Sequence, residues 1–111
     1  ITAVDAHFNC TKFVNDTAKA MGMVNLQAFK ADIFKFIEKE THVYDLIFAD
    51  PPYEMEWIKD ISNAIFQYKL LSLNGILIIE HGGKTDLSTD KGFVEKRKYG
   101  NVNFSIFKYH E

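Results

Sequence analysis

Short apolar runs alternate with longer amphipathic stretches along the whole chain of 111 residues. The short runs predict strands, and the apolar stripes that repeat every three to four residues predict helices. From the N-terminus the order is strand, helix, strand, helix, strand, helix, strand, loop and two strands. This alternation is typical of an α/β domain with a mostly parallel sheet.

The predicted elements have clear end signals. Strands are predicted at residues 1–4, 25–29, 44–49, 76–79, 93–99 and 102–109, and helices at 8–21, 33–40 and 55–71. Gly22 lies where a glycine stop is expected after the first helix. Asn74-Gly75 predicts a turn before the fourth strand. Gly100-Asn101 joins the last two strands into an antiparallel hairpin that closes the sheet.

The apolar positions predict which faces are buried. In the first helix the predicted face consists of Phe13, Val14, Ala18 and Met21. In the third helix it consists of Trp57, Ile58, Ile61, Ala64, Ile65, Tyr68 and Leu71. The third strand contains the continuous apolar run 46–49, which is typical of a strand covered on both faces.

Composition narrows the class of protein. Thirteen basic and fifteen acidic residues give a net charge of −2, which argues against binding of nucleic acid by charge alone. A single cysteine excludes an intrachain disulfide and a Cys-rich zinc module. No apolar run approaches the roughly 20 residues that span a membrane, and no signal peptide is visible. We expect one soluble, cytoplasmic domain without a metal.

Acidic residues follow the predicted strands. Asp5, Asp50 and Glu80 come at the ends of three of them, and Asp32 lies just beyond the second strand. In open α/β sheets, ligands bind outside the carboxyl ends of the strands. The pattern therefore predicts a binding site at this edge.

The segment Asp50-Pro51-Pro52-Tyr53 is the most specific feature of the sequence. Each proline fixes φ and lacks an N–H group, so the segment is a stiff loop that offers oxygen acceptors and few donors. Such a loop suits a planar base whose exocyclic amine donates to the acceptors while the Tyr53 ring stacks on the base. The alternative is a turn that merely ends a strand, because Asp and Pro are common turn residues.

The other acidic residues each allow two interpretations. Asp5 can accept from ribose hydroxyls or can cap a helix. Asp32 can accept from an adenine amine or can serve as the N-cap of the second helix. Glu80 can hold a substrate, brace the Asp50 loop or be a structural buried acid. The histidines show no metal-ligand spacing, and the basic cluster 96–98 can touch RNA phosphates or protect an edge strand.

The string 44–53, Tyr-Asp-Leu-Ile-Phe-Ala-Asp-Pro-Pro-Tyr, resembles the fourth motif of class I S-adenosylmethionine-dependent amino-methyltransferases. The whole chain resembles the RsmD family, which methylates the N2 amine of guanine 966 in bacterial 16S ribosomal RNA. The resemblance implies a Rossmann-like fold and S-adenosylmethionine as cofactor. It also implies that Asp5 binds the cofactor ribose and that Ala31, Asp32 and Ile33 surround the adenine. Residues 50–53 would hold the target base, with Asp50 also near the amino-acid end of the cofactor.

One departure from the family pattern is large. The chain starts at what would be the second family strand, without the first strand and its glycine-rich loop. We therefore expect residues 1–111 to form part of a methyltransferase domain, with a sheet divided into two halves and weak cofactor binding on its own. The expected partner is 16S rRNA or the assembling small ribosomal subunit. Methylation of DNA adenine N6 or another amine, and a non-catalytic nucleotide-binding domain, are the alternatives.

Overall fold

The computed structural model describes residues 2–5, 8–22, 27–30, 32–51 and 55–109. The chain divides into two compact units, Ile1–Glu40 and Thr41–Glu111. The described strands form two separate sheets, one of two strands and one of four. This division agrees with the expectation of a sheet in two halves.

The first unit is a β-α-β-α segment. Strands β1 (Thr2–Asp5) and β2 (Gln27–Lys30) are parallel, and their register pairs the last residue of each. Helix α1 (Phe8–Ala20) connects them and packs on both, and helix α2 (Ile33–Lys39) follows β2 and contacts β1. Parallel strands need such a crossover, so the predicted α/β order is confirmed here.

The predicted end of α1 is confirmed, but its predicted buried face is partly wrong. Gly22 has a φ of 70° and its N–H group donates to the carbonyl of Lys19, as in a glycine C-terminal cap. Ala18 is buried, whereas Phe13 and Met21 are each 70% exposed. A stripe of apolar residues marks the positions that could be covered. Coverage itself depends on which elements lie beside the helix.

The second unit has a mixed sheet and one helix. Its strands are β3 (Tyr44–Ala49), β4 (Leu71–His81), β5 (Phe93–Tyr99) and β6 (Val102–Phe107), in the order β3-β4-β6-β5. Strands β3 and β4 are parallel, and helix α3 (Ile58–Gln67) connects them. Strands β5 and β6 form the predicted antiparallel hairpin, and β6 also pairs with β4.

The third helix is shorter, and the fourth strand longer, than predicted. The chain leaves the helix at Lys69, which has a left-handed φ of 56°, and Leu71 already pairs with Tyr44. Asn74-Gly75 is therefore inside β4 and is not a turn between elements. Tyr44 pairs with Leu71, and the next pair is Leu46 with Ile76, so β4 uses five residues where β3 uses two. The Asn-Gly signal therefore marks an irregularity within β4.

The second unit buries one face of its sheet. We call this the inner face; its most buried residues on β4 and β6 are Leu77, Ile79, His81, Asn103, Ser105 and Phe107. Helix α3 supplies Ile58, Ile61 and Ile65 to the same core.

The opposite, outer face is less covered. Leu46 is 63% and Phe48 55% exposed, so the prediction that β3 is covered on both faces is wrong for the described residues. The physical reason is that the described part of this unit contains a single helix. No helix among the described residues is long and apolar enough to cross a membrane.

Candidate functional site

Two carboxyl groups meet at the carboxyl ends of β3 and β4. The parallel register pairs Ala49 with Ile79, so Asp50 and Glu80 are the next residues on adjacent strands. Their carboxyl groups are near enough for Glu80 to influence the pKa of Asp50. The predicted convergence of strand-end acids is therefore observed for this pair.

The environment of the pair favours a retained proton. The pKa of Asp50 is raised above its ordinary value, chiefly by partial burial and then by the nearby carboxyl group of Glu80. Two carboxylates this close repel each other when both are ionised. An N–H donor placed between them would relieve that repulsion, and the carboxyl oxygens are acceptors that such a donor can use.

The rest of the proline motif is only partly described. Pro51 is buried, which anchors the loop directly after Asp50. Pro52 and Tyr53 lie outside the described residues, so the predicted stacking of Tyr53 on a base stays a prediction.

Apart from Asp50, the predicted cofactor residues belong to the first unit. Asp5 is the last residue of β1, and Asp32 follows β2 by two positions, so the β1–β2 register puts both at one edge of that sheet. Asp32 is the N-cap of α2: its Oδ1 accepts from the N–H groups of Phe34 at 3.0 Å and Lys35 at 3.2 Å. Ile33 is half-buried, and Ala31 lies outside the described residues.

The residues present fit part of S-adenosylmethionine. Both helix-end hydrogen bonds go to Oδ1 of Asp32, which leaves the direction of Oδ2 for a further donor such as an adenine amine. Asp5 ends a parallel strand, where a carboxylate suits ribose hydroxyls. The described residues contain no cluster of three or more His, Cys, Asp or Glu side chains that could hold a metal.

A buried polar row beside the acid pair was not foreseen. The His81 ring is fully buried, with Nδ1 2.8 Å from the Gly82 carbonyl and Nε2 2.7 Å from Ser105 Oγ. Asn103, which pairs with His81 across the strands, is 2% exposed. The sequence hides this row because β6 alternates polar Asn103 and Ser105 with apolar neighbours, a pattern that predicts the polar residues on the solvent side.

Solved structures share the fold at low sequence identity. A conserved hypothetical protein of Streptococcus pyogenes superposes with a TM-score of 0.85 at 20% identity, over 98% of this chain and 71% of that one. An S-adenosylhomocysteine-bound methyltransferase of Podospora anserina, PaMTH1, superposes with a TM-score of 0.76 at 12% identity, over 100% and 61%. The fold is that of the class I methyltransferases, as predicted.

The family follows from the sequence match. Residues 1–108 match the model of the family described as conserved hypothetical protein 95, and the chain belongs to that family. The "Putative rRNA methyltransferase YlbH" of Bacillus subtilis is 25% identical over 112 residues, which cover 95% of this chain and 61% of the relative. An uncharacterized methylase of Rickettsia prowazekii, RP545, is 25% identical over 77 residues, which cover 68% of this chain and 33% of that protein. The resemblance to RsmD-type methyltransferases is therefore confirmed at the level of the family.

Proposed function

We propose that this chain is the amine-binding part of an S-adenosylmethionine-dependent methyltransferase that acts on the N2 amine of a guanine in 16S rRNA. The observation that carries the proposal is the position of Asp50 and Glu80 side by side, directly after the paired residues Ala49 and Ile79 on adjacent parallel strands. The family, together with the name of the B. subtilis relative, supports ribosomal RNA as the substrate class. Such a substrate places the reaction in the cytoplasm.

The pair would act on the amine through its oxygens. The lone pair of an exocyclic amine is delocalised into the base, which makes the nitrogen a weak nucleophile. Carboxylate oxygens that accept its N–H groups favour a pyramidal nitrogen and free the lone pair. Asp50 would hold one N–H group, Glu80 would keep the Asp50 carboxyl in place, and Tyr53 would stack on the base.

The cofactor would be held by residues of the first unit. Bound S-adenosylmethionine supplies an electrophilic methyl group on its sulfonium sulfur. Asp5 would accept from the ribose hydroxyls, and Asp32 would accept from the adenine amine through Oδ2 while Oδ1 caps α2. The main contribution of the protein is then orientation of the nitrogen toward the methyl carbon.

The decisive experiment measures transfer of a labelled methyl group by the full-length protein. Naked 16S rRNA, assembled small subunits and DNA would be offered in parallel, and the modified nucleoside would be identified. We expect labelled N2-methylguanine in rRNA or in the small subunit. Methyladenine in DNA would redirect the proposal to the alternative substrate, and no label in any arm would favour the non-catalytic alternative.

A pair of variants tests the role of the site. We expect Asp50→Ala to lower turnover by about two to three orders of magnitude, as loss of a preorganised polar group does in other active sites. Asp45→Ala is the matched control, since Asp45 lies on the same strand and contacts Ser72 at 2.8 Å on the exposed surface. Near-normal turnover of Asp50→Ala, or an equal loss in both variants, would contradict the assigned role.

A further inference from the structure

One buried donor in the inner face has no partner. Asn103 is 2% exposed, and its side-chain Nδ2 makes no hydrogen bond. A buried donor without a partner destabilises the folded state, so most such groups in native proteins are satisfied. Leucine or methionine would fill a similar volume without this penalty. The unpaired amide is therefore a reason to look for a ligand that completes it.

A glycine lies beside this amide. Gly83 is exposed, and a Cβ built on it would lie 3.9 Å from Asn103 Nδ2, with nothing else within 4 Å. Gly83 does not have a positive φ, so the backbone conformation itself does not require glycine here. The missing side chain leaves room for a ligand atom to come up to the turn that follows β4.

A cavity begins at the same glycine. It has a volume of about 390 Å³, and its lining includes Gly83, Thr85, Ser88, Lys96 and Ser105. Lys96 and Lys98 pair with Ser105 and Asn103, so both lysines lie on the same face of the hairpin as the buried row. The cavity thus combines a cation, the hydroxyl groups of Thr85 and Ser88 and a neighbouring amide donor, which together suit a phosphate oxygen.

We propose that the Gly83 turn, with Asn103 and Lys96, binds a phosphodiester of the RNA substrate and so positions the strand that presents the target base. The inference rests on the proposed function, because it assigns the backbone contacts of the same substrate. Phosphate contacts fix the register and orientation of a nucleic acid, and the Gly83 turn follows the end of β4, three residues after Glu80.

One residue that lines the cavity carries a negative charge and would repel an anion. Asp86 also lines it, and hydrogen bonds from Ser88 together with the charges of Lys96 and Lys59 hold the pKa of Asp86 below its ordinary value. The carboxylate accepts from the Ser88 N–H group at 2.9 Å, so it caps its own loop. An asparagine side chain at position 86 can accept the same hydrogen bond from Ser88 but carries no negative charge. Asp86→Asn therefore distinguishes a phosphate ligand, which would bind more tightly, from a cationic or hydroxyl ligand, which would not.

The test compares stability and RNA affinity in the full-length protein. Asn103→Leu should unfold at the same urea concentration as the wild type or a higher one, because an unpaired donor is removed. It should bind an rRNA fragment about tenfold more weakly, as expected for loss of one hydrogen bond to a charged group. Gly83→Ala should keep its stability and also bind more weakly. Asn63→Leu on the exposed surface of α3 is the control and should leave affinity unchanged.

Salt dependence identifies the ligand group. Lys96→Met should reduce the slope of log affinity against log salt by about 0.7–0.9, the value of one lost phosphate contact. Asn103→Leu should leave that slope unchanged, because a neutral amide displaces no counterion. Wild-type affinity in both Asn103→Leu and Gly83→Ala would overturn the inference while RNA methylation by the wild type persists. If the wild-type protein does not methylate RNA at all, the proposed function itself is overturned.

Discussion

The buried contact between His81 and Ser105 gives a stability prediction that can be worked from the structure. Nδ1 of His81 faces the Gly82 carbonyl, which can only accept, so in the neutral ring Nδ1 carries the hydrogen. Nε2 is then the acceptor, and Ser105 Oγ donates to it over 2.7 Å. Both side chains are 0% exposed. Ser105→Ala leaves Nε2 buried without a donor.

The expected loss is about 1–3 kcal/mol of unfolding free energy, the cost of one stranded buried acceptor. The matched control is Ser62→Ala, which removes the same hydroxyl from another side chain that is 0% exposed. Ser62 Oγ lies 3.5 Å from Asp90 Oδ2, at the limit of a hydrogen bond, so we expect a loss below about 1 kcal/mol.

Urea unfolding of the full-length protein measures both losses, and an unchanged slope with denaturant shows that the unfolded states are comparable. Equal losses in the two variants would refute the reasoning, because the hydrogen-bond distance would then not decide the cost. A Ser105→Ala protein as stable as the wild type would do the same, since water or a rearranged ring would have replaced the hydroxyl.

Three further predictions follow from packing and charge. Phe107→Ala should lower the free energy of unfolding by about 3–5 kcal/mol in the same assay. The Phe107 ring is fully buried and packs edge-on against Phe93, with the ring centroids 5.8 Å apart. Gly92→Ala should cost about 1–3 kcal/mol, because its φ is 88° and the new Cβ would lie 2.6 Å from the Phe66 ring; wild-type stability would contradict this. Glu80→Gln should lower the pKa of Asp50 in an NMR titration. Because the pKa of Asp50 is higher in the folded than in the unfolded state, the free energy of unfolding falls as pH rises from the unfolded-state pKa through the folded-state pKa. In Glu80→Gln this fall should be smaller. An unchanged titration of Asp50 would show that burial alone sets its pKa.

The sequence could predict the acid pair because the pair depends on local signals. Continuous apolar runs define β3 and the end of β4, and each run stops at an acidic residue. Parallel pairing then requires Asp50 and Glu80 to be neighbours. The double interpretation of Asp32 is also resolved in part: its Oδ1 serves as the helix cap, and the proposed adenine contact is left to Oδ2.

The buried polar row could not be predicted, because burial in a sheet depends on its neighbours. On β6, Val102, Phe104 and Ile106 look like the inward face, yet they are only half-buried, whereas Asn103 and Ser105 are buried. The polar residues are inside because β6 pairs with β4 in the register that places Ser105 beside Ile79 and Asn103 beside His81. No periodicity within β6 contains that information.

The end of β4 links the two polar features of the second unit. Consecutive residues of a strand point to opposite faces, so Glu80 joins Asp50 while His81 enters the inner face. The contacts of His81 with Gly82 and Ser105 tie the end of β4, next to Glu80, to the following residue and to β6. An apolar residue at position 81 could fill the same space but would not hold the following glycine. The geometry of the proposed amine site thus depends on hydrogen bonds buried behind it, and the unpaired Asn103 amide lies in that same row.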